Sequence, residues 1–226
     1  MRFQPVNPNS ALPNCHELYV ATSGGGKSVM LRHNLAKLPK NSRVILWDQA
    51  DDHAGLHCAT KQSFVRALKA GYKSSRGFRI AFNGPATIEN FEWFCEVVWS
   101  KLDGNHLTHM VVEELSQVSP SINRASPNAE VLLNQMRKYG GIFHGTTQKP
   151  QATAKTYYDL CEIKYIGQQK TEAMCRKMAS EIGGKPEAIK ALQPLNFYFD
   201  DGKAGDPELI KVKFKGPTGV KHAKAK

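Results

Sequence analysis

The chain has 226 residues, 41% of them hydrophobic and 23% charged, and this length buries about 70% of the unfolded surface in one core while being short for two domains. No apolar run approaches the roughly 18 residues that cross a bilayer, and the N-terminal MRFQPVNPNSALP lacks the apolar core of a secretory signal, so an intracellular setting is expected. Lys and Arg total 31 against 20 Asp and Glu, a net charge of +11 that favours a polyanionic partner such as nucleic acid.

Residues 1–14, with three prolines and three asparagines and no periodicity, read as an irregular arm. The five cysteines (Cys15, Cys58, Cys95, Cys161, Cys175) are odd in number and form no C-x-x-C pair, which points to reduced thiols. Cys15-His16 and His57-Cys58 lack the spacing of zinc ligands.

The first apolar run, Glu17–Val20, leads into Ala21-Thr22-Ser23-Gly24-Gly25-Gly26-Lys27-Ser28 and then a helix-like stretch from Val29 to Lys37. Strand, glycine-rich turn and helix in this order make a P-loop, in which successive backbone N–H groups and a helix N-terminus surround polyphosphate. The backbone from Thr22 to Val29 would cradle the phosphates of ATP, Lys27 would reach the β and γ phosphates, and the Ser28 hydroxyl would ligate Mg²⁺. The usual pattern opens on glycine; here that position is Ala21.

Arg43–Trp47 is a second strand, ending at Asp48, which serves either as a group near the nucleotide or as a turn cap. Lys61–Ala70 reads as a helix, Phe78–Phe82 as a strand, and Thr87 opens a helix whose Phe91, Phe94, Cys95, Val98 and Leu102 form a core stripe. His109–Val112 is an apolar strand ending in Glu113 and Glu114. The first carboxylate would hold the Mg²⁺ shell, partly through water, and the second would polarise the attacking water; the usual Asp-Glu is Glu-Glu here.

Residues 119–128 form a loop, Ala129–Tyr139 a helix closed by Gly140-Gly141, and Ile142–Thr146 a strand that Gln148 leaves. The Gln148 amide would then bond the γ-phosphate or the lytic water.

These motifs together, from Glu17 to Pro150, resemble the FtsK–HerA superfamily of P-loop motor ATPases, and the short form without a long accessory domain resembles the genome-packaging ATPases of tailless, internal-membrane double-stranded DNA phages. The resemblance implies an α/β P-loop NTPase fold (RecA-like, additional-strand type) with a mainly parallel sheet flanked by helices. It implies ATP and Mg²⁺, Glu113 and Glu114 as the Walker B pair, Gln148 as sensor, and a homo-oligomeric ring acting on double-stranded DNA, with capsid-vertex or portal partners. Arg137, with Arg76 and Arg79 as rivals, is the candidate finger reaching a neighbour's site. The implied setting is the host cytoplasm or a virion vertex. The alternatives are a virion assembly or secretion ATPase, whose relatives usually carry a membrane span, and a non-motor nucleotide-dependent DNA-binding module.

Downstream, Cys161–Ile166 reads as a strand, Thr171–Ile182 and Lys185–Leu192 as helices, and Asn196–Phe199 with Glu208–Phe214 as a small C-terminal hairpin. One domain over 15–215 is expected, followed by a basic tail, 216–226, that is either free or an arm for DNA.

Overall fold

The computed structural model describes residues 4–74 and 76–223. Its elements in chain order are β1 (Glu17–Val20), α1 (Lys27–Leu35), β2 (Arg43–Trp47), β3 (Gly55–Cys58), α2 (Lys61–Lys73), β4 (Phe78–Phe82), α3 (Ile88–Trp99) and β5 (Thr108–Val112). There follow α4 (Pro127–Gln135), β6 (Gly141–Thr147), α5 (Lys155–Leu160), β7 (Ile163–Ile166), α6 (Glu172–Glu181), α7 (Pro186–Ala191), β8 (Asn196–Asp200), β9 (Glu208–Lys211) and β10 (Val220–His222).

Among the described residues ten strands form one sheet in the order β10-β3-β4-β2-β5-β6-β1-β7-β8-β9. All pairs are parallel except β7 with β8 and β8 with β9. Strand β6 therefore separates the P-loop strand β1 from the carboxylate strand β5, which is the additional-strand arrangement.

The inner strands are apolar without a break because both faces are covered. Alternate residues sort the two faces. Leu18, Val20, Ile45, Trp47, Met110 and Val112 enter a large core beneath the helical layer that includes α2 to α6. Tyr19, Ala21, Val44, Leu46 and Val111 face the other way, onto Met30, Leu31 and Leu35 of α1. The aromatic stripe of α3 lies in the large core, with the Phe91 ring centroid 5.2 Å from that of Trp47 and the Phe94 centroid 5.4 Å from it. Thr60, Thr87 and Thr171 accept the N–H of Ser63, Asn90 and Met174 and so cap α2, α3 and α6.

The N-terminal arm is pinned across the sheet end remote from the P-loop. The Asn9 N–H donates to the Lys138 carbonyl at 2.6 Å, and the Asn7 amide donates to the Asp103 carbonyl at 3.1 Å. Residues 1–3 lie outside the described part.

The expected C-terminal hairpin is present, with β8 paired antiparallel to β9. β8 and β9 extend the main sheet, and the next segment, 212–219, crosses the α1 face from one sheet edge to the other as a strap. Val212 is buried, and its N–H donates to the Leu195 carbonyl at 2.9 Å. Arg32 donates to the Lys215 carbonyl from Nε at 3.3 Å and from Nη2 at 3.0 Å. The Gly55 N–H bonds Gly219, and β10 then pairs in parallel with β3. Residues 216–223 are thus held to the domain rather than free, because the open edge of β3 offers backbone partners; Lys224 and Lys226 lie outside the described residues. Among the described residues no helix is long and apolar enough to cross a membrane.

Candidate nucleotide site

The sheet order brings the carboxyl ends of β1, β2, β5 and β6 side by side, and the candidate residues stand there. Gly26, the residue before α1, has φ +96, and a Cβ on it would lie 2.6 Å from the Leu195 side chain. The positive φ favours glycine here, whereas the tip of the half-buried Leu195 side chain could yield to a methyl group. Ala21 in place of the usual glycine is accommodated by its neighbours: a Cβ on Gly25 would stand 2.9 Å from the Ala21 methyl, and one on Gly167 would stand 2.8 Å from it. The loop is anchored by the Thr22 N–H to the Gln168 carbonyl at 3.0 Å and by the Leu195 N–H to the Gly25 carbonyl at 3.0 Å. Ser23 and Gly24 are left exposed.

The Lys27 ammonium lies 3.8 Å from Glu114 Oε2. The Ser28 hydroxyl is 3.5 Å from Glu113 Oε2 and donates to Asp52 Oδ2 at 3.2 Å. Glu113 is 7% exposed and held on both oxygens, by His53 Nε2 at 2.5 Å and by the Thr146 hydroxyl at 2.5 Å. Burial works to raise its pKa, but the His53 and Thr146 bonds and the charges of His53 and Lys27 outweigh that, and the carboxyl titrates below the ordinary glutamate range.

Glu114 sits in the left-handed backbone region at φ 56. Its N–H donates to Thr146 Oγ1 at 3.0 Å, and its Oε1 accepts from the Ser116 hydroxyl at 2.8 Å and from the Gln148 N–H at 3.1 Å. Glu114 Oε2 is shielded from solvent without a hydrogen-bond partner and has only the more distant Lys27 charge beside it. The half-buried Gln148 thus reaches this cluster through its backbone.

Asp48 is fully buried and caps the following turn, accepting the N–H groups of Asp52 and His53 at 3.0 and 2.9 Å. Burial, only partly offset by the His53 charge and these N–H donors, holds its carboxyl above the usual range. Its turn aims Asp52 and His53 at Ser28 and Glu113. The site therefore includes Asp52, His53 and Thr146, which the motif reading does not contain. Their signal in the sequence is weak: Asp52 and His53 follow the carboxyl end of β2, and only the pairing of β2 with β5 shows that this end adjoins Glu113.

Arg137 is not part of the cluster. It precedes β6, at the opposite end of the sheet, and its Nη1 donates to the carbonyls of Ser10 at 3.1 Å and of Leu12, fastening the arm. Arg79 donates to the Leu35 carbonyl at 2.6 Å, and Arg76 is exposed.

Over 197 residues the chain is 33% identical to Protein P9 of Pseudoalteromonas phage PM2, a match spanning 84% of this chain and 88% of that protein. The chain belongs to the P9 family. No family model matches it. The fold of this P9-family chain is also that of solved P-loop NTPases. The genome packaging NTPase B204 of Sulfolobus turreted icosahedral virus 2, in complex with AMPPCP, superposes with a TM-score of 0.71 at 15% identity, over 90% of this chain and 100% of that one. VirB4 of Thermoanaerobacter pseudethanolicus superposes with a TM-score of 0.61 at 12% identity, over 89% of this chain and 90% of that one. The expected α/β fold with a mainly parallel sheet stands on these superpositions.

Proposed function

We propose that the chain is an ATPase that moves double-stranded DNA during packaging of a viral genome. The observation that carries this reading is the meeting of two pairs, Lys27 with Glu114 and Ser28 with Glu113, at the mouth of the phosphate loop. Support comes from the genome packaging NTPase B204, which shares the fold and was solved with AMPPCP and with ATP-gammaS.

The residues fit Mg²⁺-ATP. Glycines leave the loop backbone open, a cation stands where phosphates would lie, and the Ser28 hydroxyl and Glu113 carboxylate supply hard oxygen donors side by side. Ser28, and Glu113 through water, would hold the ion, which when bound neutralises phosphate charge.

The chain's own groups do the rest. A triphosphate in the loop draws the Lys27 ammonium away from Glu114, whose Oε2 is then free to accept a proton from water. The water oxygen bonds to the γ-phosphorus, the bond from that phosphorus to the bridging oxygen breaks, ADP leaves, and the water proton passes to Glu114. Gln148, bonded through its N–H to the same carboxylate, couples the state of the phosphate site to β6. Converting hydrolysis into DNA movement calls for a ring of copies, working in the host cytoplasm or at a virion vertex with capsid or portal partners.

The test is ATP turnover with and without duplex DNA. Wild type should hydrolyse ATP faster with DNA. Lys27→Ala should bind ATP markedly more weakly, and Glu114→Gln should bind ATP but turn it over about 10²-fold more slowly or less. Wild-type turnover in both variants would sink the assignment.

A further inference from the structure

The phosphate loop opens into a cavity of ≈ 280 Å³ bounded by Lys27, Ser28 and Val29 on one side and by Pro194, Leu195 and Phe214 on the other. Val29 and Phe214 also line a second cavity of ≈ 580 Å³ between α1 and the strap, so the two spaces meet at these side chains. The second cavity has the size of a small-ligand pocket. Its wall carries Arg32, Lys213 and Lys215 and no acidic residue.

Phe214 is 74% exposed, and among the described residues no aromatic ring packs on it. An exposed phenyl ring on a loose segment would mean little, but this one is held in place. Two residues before it, Val212 is buried and hydrogen-bonded to Leu195; one residue after it, the Lys215 carbonyl is clamped by Arg32. The backbone is thus fixed on both sides of a side chain that presents an unused aromatic face beside the phosphate loop.

We infer that the cleft between α1 and the strap receives the nucleoside half of the bound nucleotide, with its base stacked on Phe214. The inference rests on the reading of the phosphate loop as a nucleotide site. Triphosphate held from Lys27 to Val29 would direct its sugar and base past Val29, which together with Phe214 lines both cavities. An aromatic face accepts a purine by stacking, and the adjacent Arg32, Lys213 and Lys215 suit the ribose hydroxyls and the inner phosphate. The same basic and aromatic chemistry could serve a DNA strand, but Phe214 faces a cavity continuous with the phosphate loop, which favours the nucleotide.

Calorimetric titration of wild type and Phe214→Ala with Mg²⁺-ATP and with Mg²⁺-tripolyphosphate, which has no base, tests this. Phe214→Ala should lose about tenfold or more in ATP affinity and none for tripolyphosphate. Phe214→Trp should restore ATP binding, and the fluorescence it adds over wild type should be quenched by ATP and not by tripolyphosphate. Since Phe214 is exposed, both variants should melt like wild type, so a folding defect is separable. Unchanged ATP affinity in Phe214→Ala overturns the inference, and if duplex DNA binding falls instead, the ring belongs to DNA. Equal loss for both ligands also overturns it, since the ring then shapes the loop and not the base site. If wild type binds neither ligand, the nucleotide reading itself has failed and takes this inference with it.

Discussion

Glu113 and Glu114 are adjacent in the chain and opposite in surroundings. Glu113 has both oxygens committed to His53 and Thr146, which suits a fixed charge; Glu114 keeps one oxygen unbonded beside Lys27, which suits a proton acceptor. Buried histidines at the other end of the sheet set a different property. His109 is stacked on His144, with Nδ1 2.9 Å from His144 Nε2, and burial followed by the His144 charge lowers its pKa to about 3. His16 accepts the Phe143 N–H on Nδ1, and burial lowers its pKa to about 4. Both are neutral in the folded state and bind protons more readily when unfolded. Their folded pKa values lie below the ordinary histidine value near 6.5, so stability is full above about pH 6.5 and falls as the pH drops towards 4. Each should contribute about 1.4 kcal/mol of loss per pH unit in that window. Urea unfolding at pH 7 and pH 5 measures this, and His109→Asn should make the loss smaller; an equal loss in that variant would assign the acid sensitivity elsewhere.

At the scale of elements, β1, β2 and β4 begin and end where their apolar runs do, because each is buried on both faces and the side chains alone announce it. β3, α5 and β10 are not legible in the sequence. Gly55–Cys58 is short and only half apolar, Lys155–Leu160 is a helix of 6 residues, and Val220–His222 has two exposed residues of three. Such pieces are stabilised by a neighbour rather than by their own pattern. The site divides in the same way: Lys27, Ser28, Glu113 and Glu114 lie in contiguous motifs, whereas His53, Thr146 and Phe214 reach the site only through strand order and the path of the strap. That path yields a prediction. Arg32 donates to the carbonyls of Lys215 and Asp52, so Arg32→Ala removes a clamp at mid-strap. Trypsin should then cut after Lys211, Lys213 or Lys215 several-fold faster than in wild type while the melting temperature changes little. An unaltered cleavage rate would mean that Val212 and β10 hold the strap unaided.

For the whole molecule, the net charge of +11 and the proposed DNA partner meet in the salt dependence of binding. Lys221 is exposed on β10, and Lys224 and Lys226 follow it outside the described residues. If these three contact phosphate, replacing them with Gln should reduce the slope of log affinity against log salt by up to about 2.7 and leave DNA-independent ATP turnover intact. An unchanged slope would place the DNA path on another surface. The edge strand β9 and the next-to-edge strand β3 differ in how they avoid sticking to other chains. β9 is exposed and carries Glu208 and Lys211, charges that discourage a second strand from adding there. β3 carries no acid, lysine or arginine and relies on β10 to cover it. During synthesis β3 leaves the ribosome long before Val220–His222 are made, so every nascent or shortened chain ending before them offers an uncapped, uncharged strand to its neighbours. Crowding of such chains on one message would favour aggregation through this edge, which pairing with β10 closes.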